Sequence, residues 1–167
     1  MIEFVENEIK ELLKATSGLG AGASPRITSF YQGNVVLPPQ SYLPALMVFG
    51  TNETVIAKST AKDQYQYEIT VRVVVDLKAF FDEAGTGEKI DSQEAIRKIM
   101  GERDSSTGAP KSDTVLGVLR APANIRGVGY LFNNNISVTY TNEVNGKFFY
   151  VQADAVFTLI TDLILRQ

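Results

Sequence analysis

Residues 64–78 read QYQYEITVRVVVDLK, and the fold turns on how they are taken. Tyr65, Tyr67, Ile69, Val71, Val73, Val75 and Leu77 hold one parity. Gln66, Glu68, Thr70, Arg72, Asp76 and Lys78 hold the other, with Val74 the exception. Successive side chains of an extended chain point to opposite faces, so the first set faces a core and the second faces water. A strand buried on one side implies antiparallel pairing, with helices covering that side. Fully burying a Val or Ile is worth roughly 1.5–3 kcal/mol, while ordering each residue's backbone costs about 1–2 kcal/mol. A lone hairpin cannot hold itself on those terms, and the sheet needs helices as its lid.

Downstream, Ile136, Val138 and Tyr140 alternate with Ser137, Thr139 and Thr141. Asn145-Gly146 supplies a tight turn, because such turns want positive φ at both centres. Phe149, Val151, Ala153, Ala155, Phe157 and Leu159 continue the apolar parity on a long returning strand, with a bend or bulge expected near Ala153–Ala155. Upstream, Leu43–Phe49 reads as a strand closed by a turn at Gly50-Thr51-Asn52, with Thr54–Lys58 a brief paired strand. A short strand is expected near Ile27–Tyr31, then a turn at Gln32-Gly33-Asn34. Pro38, Pro39 and Pro44 keep the intervening chain extended.

Residues 2–14 carry Ile2, Val5, Ile9, Leu12 and Leu13 on one stripe and predict a helix. The glycines of 17–22 end it. Asp91 or Ser92 can cap a short helix holding Ala95, Ile96, Ile99 and Met100, and Ser112 or Asp113 a second one that runs to Arg120. Between these lie a polar loop at Phe81–Glu88 and a Ser/Gly/Pro loop at Asp104–Lys111. No internal repeat is visible. The layout is a single α+β domain over 1–167: an N-terminal helix (1–16), a Gly/Ser linker (17–25), strands (26–78), loops and short helices (79–120) and a C-terminal hairpin (121–167). Its sheet is antiparallel with mixed edges, about four to six strands, with the helices packed on one face.

The 167 residues suit one domain, with 44% hydrophobic and 21% charged residues and a mean hydropathy of -0.02. A formal net charge of -3 leaves no basic field to hold phosphates, which counts against nucleic-acid binding. Cysteine and histidine are both absent. That excludes disulfides, Cys/His zinc sites, thiol nucleophiles, Ser-His-Asp triads and histidine acid-base chemistry. The acidic, amphipathic start of the sequence is no secretory signal. Ile27–Asn52 carries no charge, but its prolines and amides interrupt it, so a buried or partner-covered segment is expected rather than a membrane span. Asn52-Glu53-Thr54 and Asn135-Ile136-Ser137 match the glycosylation pattern by chance.

Chemical motifs fare poorly. Gly18, Gly20 and Gly22 follow a helix instead of a strand, so they read as cap and linker and not as a dinucleotide loop. Gly85-Thr86-Gly87-Glu88-Lys89 lacks the earlier glycine and the Ser/Thr of a P-loop, and Glu88 would repel a phosphate. The acidic clusters at Asp82, Glu83, Glu88 and Asp91, or at Glu102 and Asp104, lack the ligand spacing of an EF-hand and read as solvated loop charge. A Ser–Lys dyad has no G-x-S-x-G elbow to sit on. No catalytic, cofactor or metal residue is assigned. Phe148, Phe149, Tyr150 and Phe157 read as sheet packing. Adjacent Phe148 and Phe149 must face opposite sides, so Phe148, Tyr150, Val156, Ile160 and Val74, joined by Tyr140 or its neighbours if suitably paired, make a second apolar face that wants a helix or another subunit as cover.

The element order and several phrases resemble the tail terminator (tail-completion) proteins of long-tailed bacteriophages. The phrases are Leu43-Pro44-Ala45-Leu46-Met47-Val48-Phe49-Gly50 and Tyr67-Glu68-Ile69-Thr70-Val71-Arg72-Val73-Val74-Val75, followed by a helix, the Ser/Gly/Pro loop, Thr114-Val115-Leu116 and the final hairpin. The resemblance runs from the N-terminal helix to the last strand, with the Gly/Ser segment and the Gly101–Asp113 loop as elaborations. It implies a virion protein of the tail and neck, assembled in the host cytoplasm, with no enzymatic activity and no cofactor. Copies would form a ring, typically hexameric, at the head-proximal end of the tail tube, stopping its polymerisation and joining it to the head connector or stopper protein. On this expectation the loops at Phe81–Lys89 and Gly101–Asp113 order only against neighbours. Arg97, Arg103, Asp104, Lys111 and Arg120 then set register, with Phe148 and Tyr150 at the subunit or tube interface. Rival readings are another neck component, a small carboxylate- or metal-dependent hydrolase, and a ligand-binding or regulatory module.

Overall fold

The alternating stretch becomes the middle strand of a five-stranded sheet. The structure, a computed structural model, describes residues 1–36, 38–58, 62–78, 80–82, 88–121, 125, 127–145 and 148–164. Its elements are α1 (Ile2–Ala15), β1 (Ser29–Gln32), β2 (Ala45–Lys58), β3 (Lys62–Asp76), β4 (Phe80–Asp82), β5 (Lys89–Asp91), α2 (Ser92–Gly101), α3 (Val115–Arg120), β6 (Tyr130–Asn145) and β7 (Phe148–Ile164). The sheet order is β1-β2-β3-β7-β6, and β4 pairs with β5 apart from it. β1 runs parallel to β2, and every other neighbouring pair is antiparallel. The class is therefore α+β, a mixed and mostly antiparallel sheet with the N-terminal helix and two short helices packed on it.

Parity decides the core. Tyr67, Ile69, Val71, Val73 and Val75 of β3 lie buried beside Leu46 and Val48 of β2 and Val151, Ala153, Ala155, Phe157 and Leu159 of β7. Val5, Ile9 and Leu13 of α1, Ile96, Ile99 and Met100 of α2, and Val115, Val118 and Leu119 of α3 close over that face. Asp91 caps α2, accepting the Glu94 N–H at 2.8 Å. α3 is capped by Thr114, whose hydroxyl accepts the Gly117 N–H at 3.1 Å, and not by Ser112 or Asp113 as expected. Asp113 is drawn instead into an ion pair with Arg26 at 3.1 Å.

Four local expectations change. β2 is one strand, not a strand, a turn and a second strand: at Gly50 the pairing with β3 shifts register and resumes at Asn52. β7 keeps unbroken register with β3, and the irregularity falls on β6 between Leu131 and Ile136, where Asn133 and Asn134 take φ of 52° and 53°. The Gly101–Asp113 loop, expected to order only on assembly, holds its own hydrogen bonds, with the Asp104 N–H on Ala109 O at 2.9 Å and the Lys111 N–H on Glu102 O at 2.8 Å. Of the Phe81–Lys89 loop, Asp82 pairs with Lys89, while 83–87 lie outside the described residues. Gly146 of the expected Asn145-Gly146 turn also lies outside them.

Part of the second face, around β2 and Val74, acquires a cover from the chain itself. Ala45, Met47, Phe49 and Val74 form a buried cluster against Tyr31, Val35, Leu43 and Tyr150. A parallel β1–β2 pair needs a crossover, and the uncharged segment between them, with its turn at Gln40–Tyr42, supplies both crossover and lid. Among the described residues no helix is long and apolar enough to cross a membrane.

Candidate functional site

Among the described residues the sheet ends in two free edges. On one side β1 pairs with β2 only as far as Gln32 opposite Val48. The next outward donor, the Gly50 N–H, is taken by the Glu6 carboxylate at 2.6 Å. Beyond it Thr51–Lys58 are all exposed, Val55 and Ile56 included. On the other side β6 pairs with β7 at Tyr130–Leu131 and Ile136–Asn145 and, among the described residues, with no further strand, and it exposes Tyr130, Phe132, Tyr140 and Val144. Unpaired strand edges with apolar side chains are sites where another chain can add.

The seven residues named from sequence do not form one patch. Arg103 donates to Gly108 O at 2.6 Å, Lys111 pairs with Glu102 at 2.6 Å, and Asp104 accepts the Ser106 and Thr107 N–H groups at 2.9 Å each. These three therefore build the 101–113 loop. Hydrogen bonds from the Ser106 hydroxyl and the Thr107 and Ser106 amides push the Asp104 pKa down to about 2. Tyr150 packs on the second-face cluster, while Phe148 is exposed at the β6–β7 end. Arg120 is exposed at the end of α3.

Arg97 is placed differently. It projects from α2 into a notch between that helix and the β6 edge, with Gln93, Tyr140 and Asn142 as polar walls and Ile96 and Val151 as apolar floor. The notch holds about 200 Å³. Burial raises the Tyr140 pKa, and the nearby Arg97 charge opposes that rise. No carboxylate pairs with Arg97 among the described residues.

A larger cleft of about 540 Å³ lies between the 18–28 segment, α2 and the 102–113 loop. Its cations are all engaged: Arg26 with Asp113, Lys98 with Glu94, Lys111 with Glu102. Arg26 also donates to the Gly18 carbonyl at 3.0 Å and to the Asp113 carbonyl, so it acts as a clasp between linker and loop. Among the described residues no three acidic side chains gather to hold a metal ion.

Sequence reasoning missed Glu6 and Arg26, and it offered Tyr140 to the second apolar face; Tyr140 instead pairs with Ala153 and stands on the helix-bearing face. For Glu6 a signal existed: it interrupts the apolar stripe of Ile2, Ile9 and Leu13, and an acid there must find a donor. Comparison with protein-family models finds no match for this chain, and neither does comparison with curated protein sequences.

Proposed function

We propose that the chain is a structural ring subunit, a tail terminator that caps a phage tail tube at its head-proximal end and joins it to the head connector. Its partners on this reading are copies of itself, the tube protein and the connector or stopper protein, and it performs no bond chemistry. The resemblance described above supplies the terminator role and the sixfold number. What supports ring assembly is the pair of free edges. β2, β3, β7 and β6 alternate in direction, so a copy related by rotation presents its β2 antiparallel to the first copy's β6. An even run of alternating strands repeats without a clash of direction, and head-to-tail contacts of this kind close into rings when the rotation per copy closes and run on as open filaments when it does not. Closure also removes edges that would otherwise invite aggregation.

Mass by light scattering with negative-stain imaging tests assembly, and capping of purified tail tubes tests the role. A closed ring that halts tube elongation is expected. A protein that stays monomeric with and without tubes, and leaves elongation unchanged, would overturn the reading. A ring that binds the connector but never the tube would favour a connector or stopper, which shares the same edge geometry.

A further inference from the structure

We infer that Glu53 of one copy enters the notch beside Arg97 and Tyr140 of the next. This rests on the ring reading above. Past the register shift, Glu53 and Val55 pair with Tyr67 and with Tyr65 of β3, which sets them on the helix-bearing face, while Asn52 and Thr54 take the other face. On β6, Val138 and Tyr140 pair with Ala155 and Ala153 and stand on the helix-bearing face, and Thr139 and Thr141 take the other. Lay the two edges antiparallel with Glu53 opposite Tyr140. Val55 then meets Val138, Thr54 meets Thr139, and Asn52 meets Thr141. Apolar faces apolar and polar faces polar on both sides of the joint.

A slip of one residue puts every side chain on the wrong face. A slip of two toward Ile136 sets the Glu53 carboxylate against Val138. A slip of two the other way parts Val55 from Val138 and sets Asn52 against Glu143. Charge disfavours the slip toward Ile136 as well, since it carries Glu53 away from the Tyr140 and Asn142 wall of the notch. Neither Glu53 nor Arg97 has an opposite charge in its own chain among the described residues, and the Glu53 charge works against ionisation of Tyr67 beside it. An exposed pair contributes little affinity; its role here is to select register and partner.

The chain contains no cysteine, so introduced thiols report without background. Within one copy, positions 53 and 140 sit on opposite edges with β3 and β7 between them. They are separated by three strand spacings of about 4.8 Å, too far for a disulfide. Opposed residues of an antiparallel pair lie about 4.5–5.5 Å apart between Cα atoms, which a disulfide spans. The variant Glu53→Cys/Tyr140→Cys, oxidised after assembly, should give a covalent ladder on a non-reducing gel, and neither single variant should. Arg97→Glu and Glu53→Arg should each weaken assembly tenfold or more, and the double exchange should recover most of it. A wild type that forms rings while the cysteine pair gives no ladder, or while the charge exchange rescues nothing, overturns this contact and leaves the ring standing. A wild type that never leaves the monomer overturns both.

Discussion

Arg72 and Asp154 meet across β3 and β7 through two parallel hydrogen bonds, Nε to Oδ1 and Nη2 to Oδ2, each 2.8 Å long. Both side chains are about one-fifth exposed, at 21%. The guanidinium also lies 5.1 Å from the centre of the Phe49 ring and donates to Asn34 Oδ1 at 3.2 Å, so it ties the sheet to its crossover lid. Asp154→Ala strands a half-buried cation and should lower stability by about 1.5–3 kcal/mol. The double change Arg72→Met/Asp154→Leu should recover a good part of that, since an apolar pair avoids the desolvation cost. Urea denaturation of the four proteins in the cycle measures this; a loss below half a kcal/mol for Asp154→Ala, by the same scale, would show the pair to be idle.

Tyr67 is fully buried, and its hydroxyl finds no hydrogen-bond partner among the described residues. Burial, then the Glu53 and Tyr65 charges, push its pKa up to about 12 from 10.0. The folded protein therefore holds this proton more tightly than the unfolded chain. Its contribution to stability is complete below pH 10 and is lost as pH rises toward 12. Tyr67→Phe removes the unpaired hydroxyl and should leave stability at neutral pH unchanged or raise it by up to about 1 kcal/mol. It should also flatten the alkaline fall between those pH values. Melting temperatures across that range decide it, and an unaltered alkaline slope would refute the assignment.

How much of this was legible beforehand depended on what each residue reports. The parity of Gln64–Lys78 reports a side, and it placed β3 and its core face correctly. Gly50 reports only backbone freedom, which serves a bulge as well as a turn; its amide is held by Glu6, 44 residues away in sequence. The uncharged Ile27–Asn52 stretch signalled burial, but the parallel pairing of β1 that makes it a lid is a property of topology. Arg97 was visible as a charge on a helix face. Its notch exists only because α2 lies beside β6, a neighbourhood that no periodicity encodes. Arg103 and Lys111 looked equally available and are instead consumed by their own loop.

Gly117 sits within α3, where alanine is ordinarily the better helix former by about 0.8–1 kcal/mol. A Cβ there would run into the Lys111 carbonyl oxygen, which is backbone and cannot swing aside. Gly117→Ala should therefore destabilise, by roughly 1–3 kcal/mol as overpacking does. A melting temperature equal to or above that of the parent protein would show that the 111–117 turn yields easily.

Asp104 organises the 101–113 loop through four donors from Ser106 and Thr107. Its carboxylate form is the one these donors favour, so the support is present above the ordinary range near pH 3.8 and disappears as pH falls through about 2. Asp104→Ala should raise amide hydrogen exchange at Ser106 and Thr107 at neutral pH. The parent loop should stay protected at pH 3. Equal exchange in the two proteins would mean that the loop is held by Arg103 and Lys111 alone.

Glu6 leaves a lasting mark on the outer margin of β2. Its grip on the Gly50 amide, reinforced where Gln32 donates to the Glu3 carbonyl at 2.8 Å, occupies the outward donor next to β1, where an incoming strand would otherwise creep inward. Any visitor to that margin must begin at Thr51 and travel away from the core. Overlap is thereby metered from a fixed origin, and the joint acquires a doorstop made of a single carboxylate.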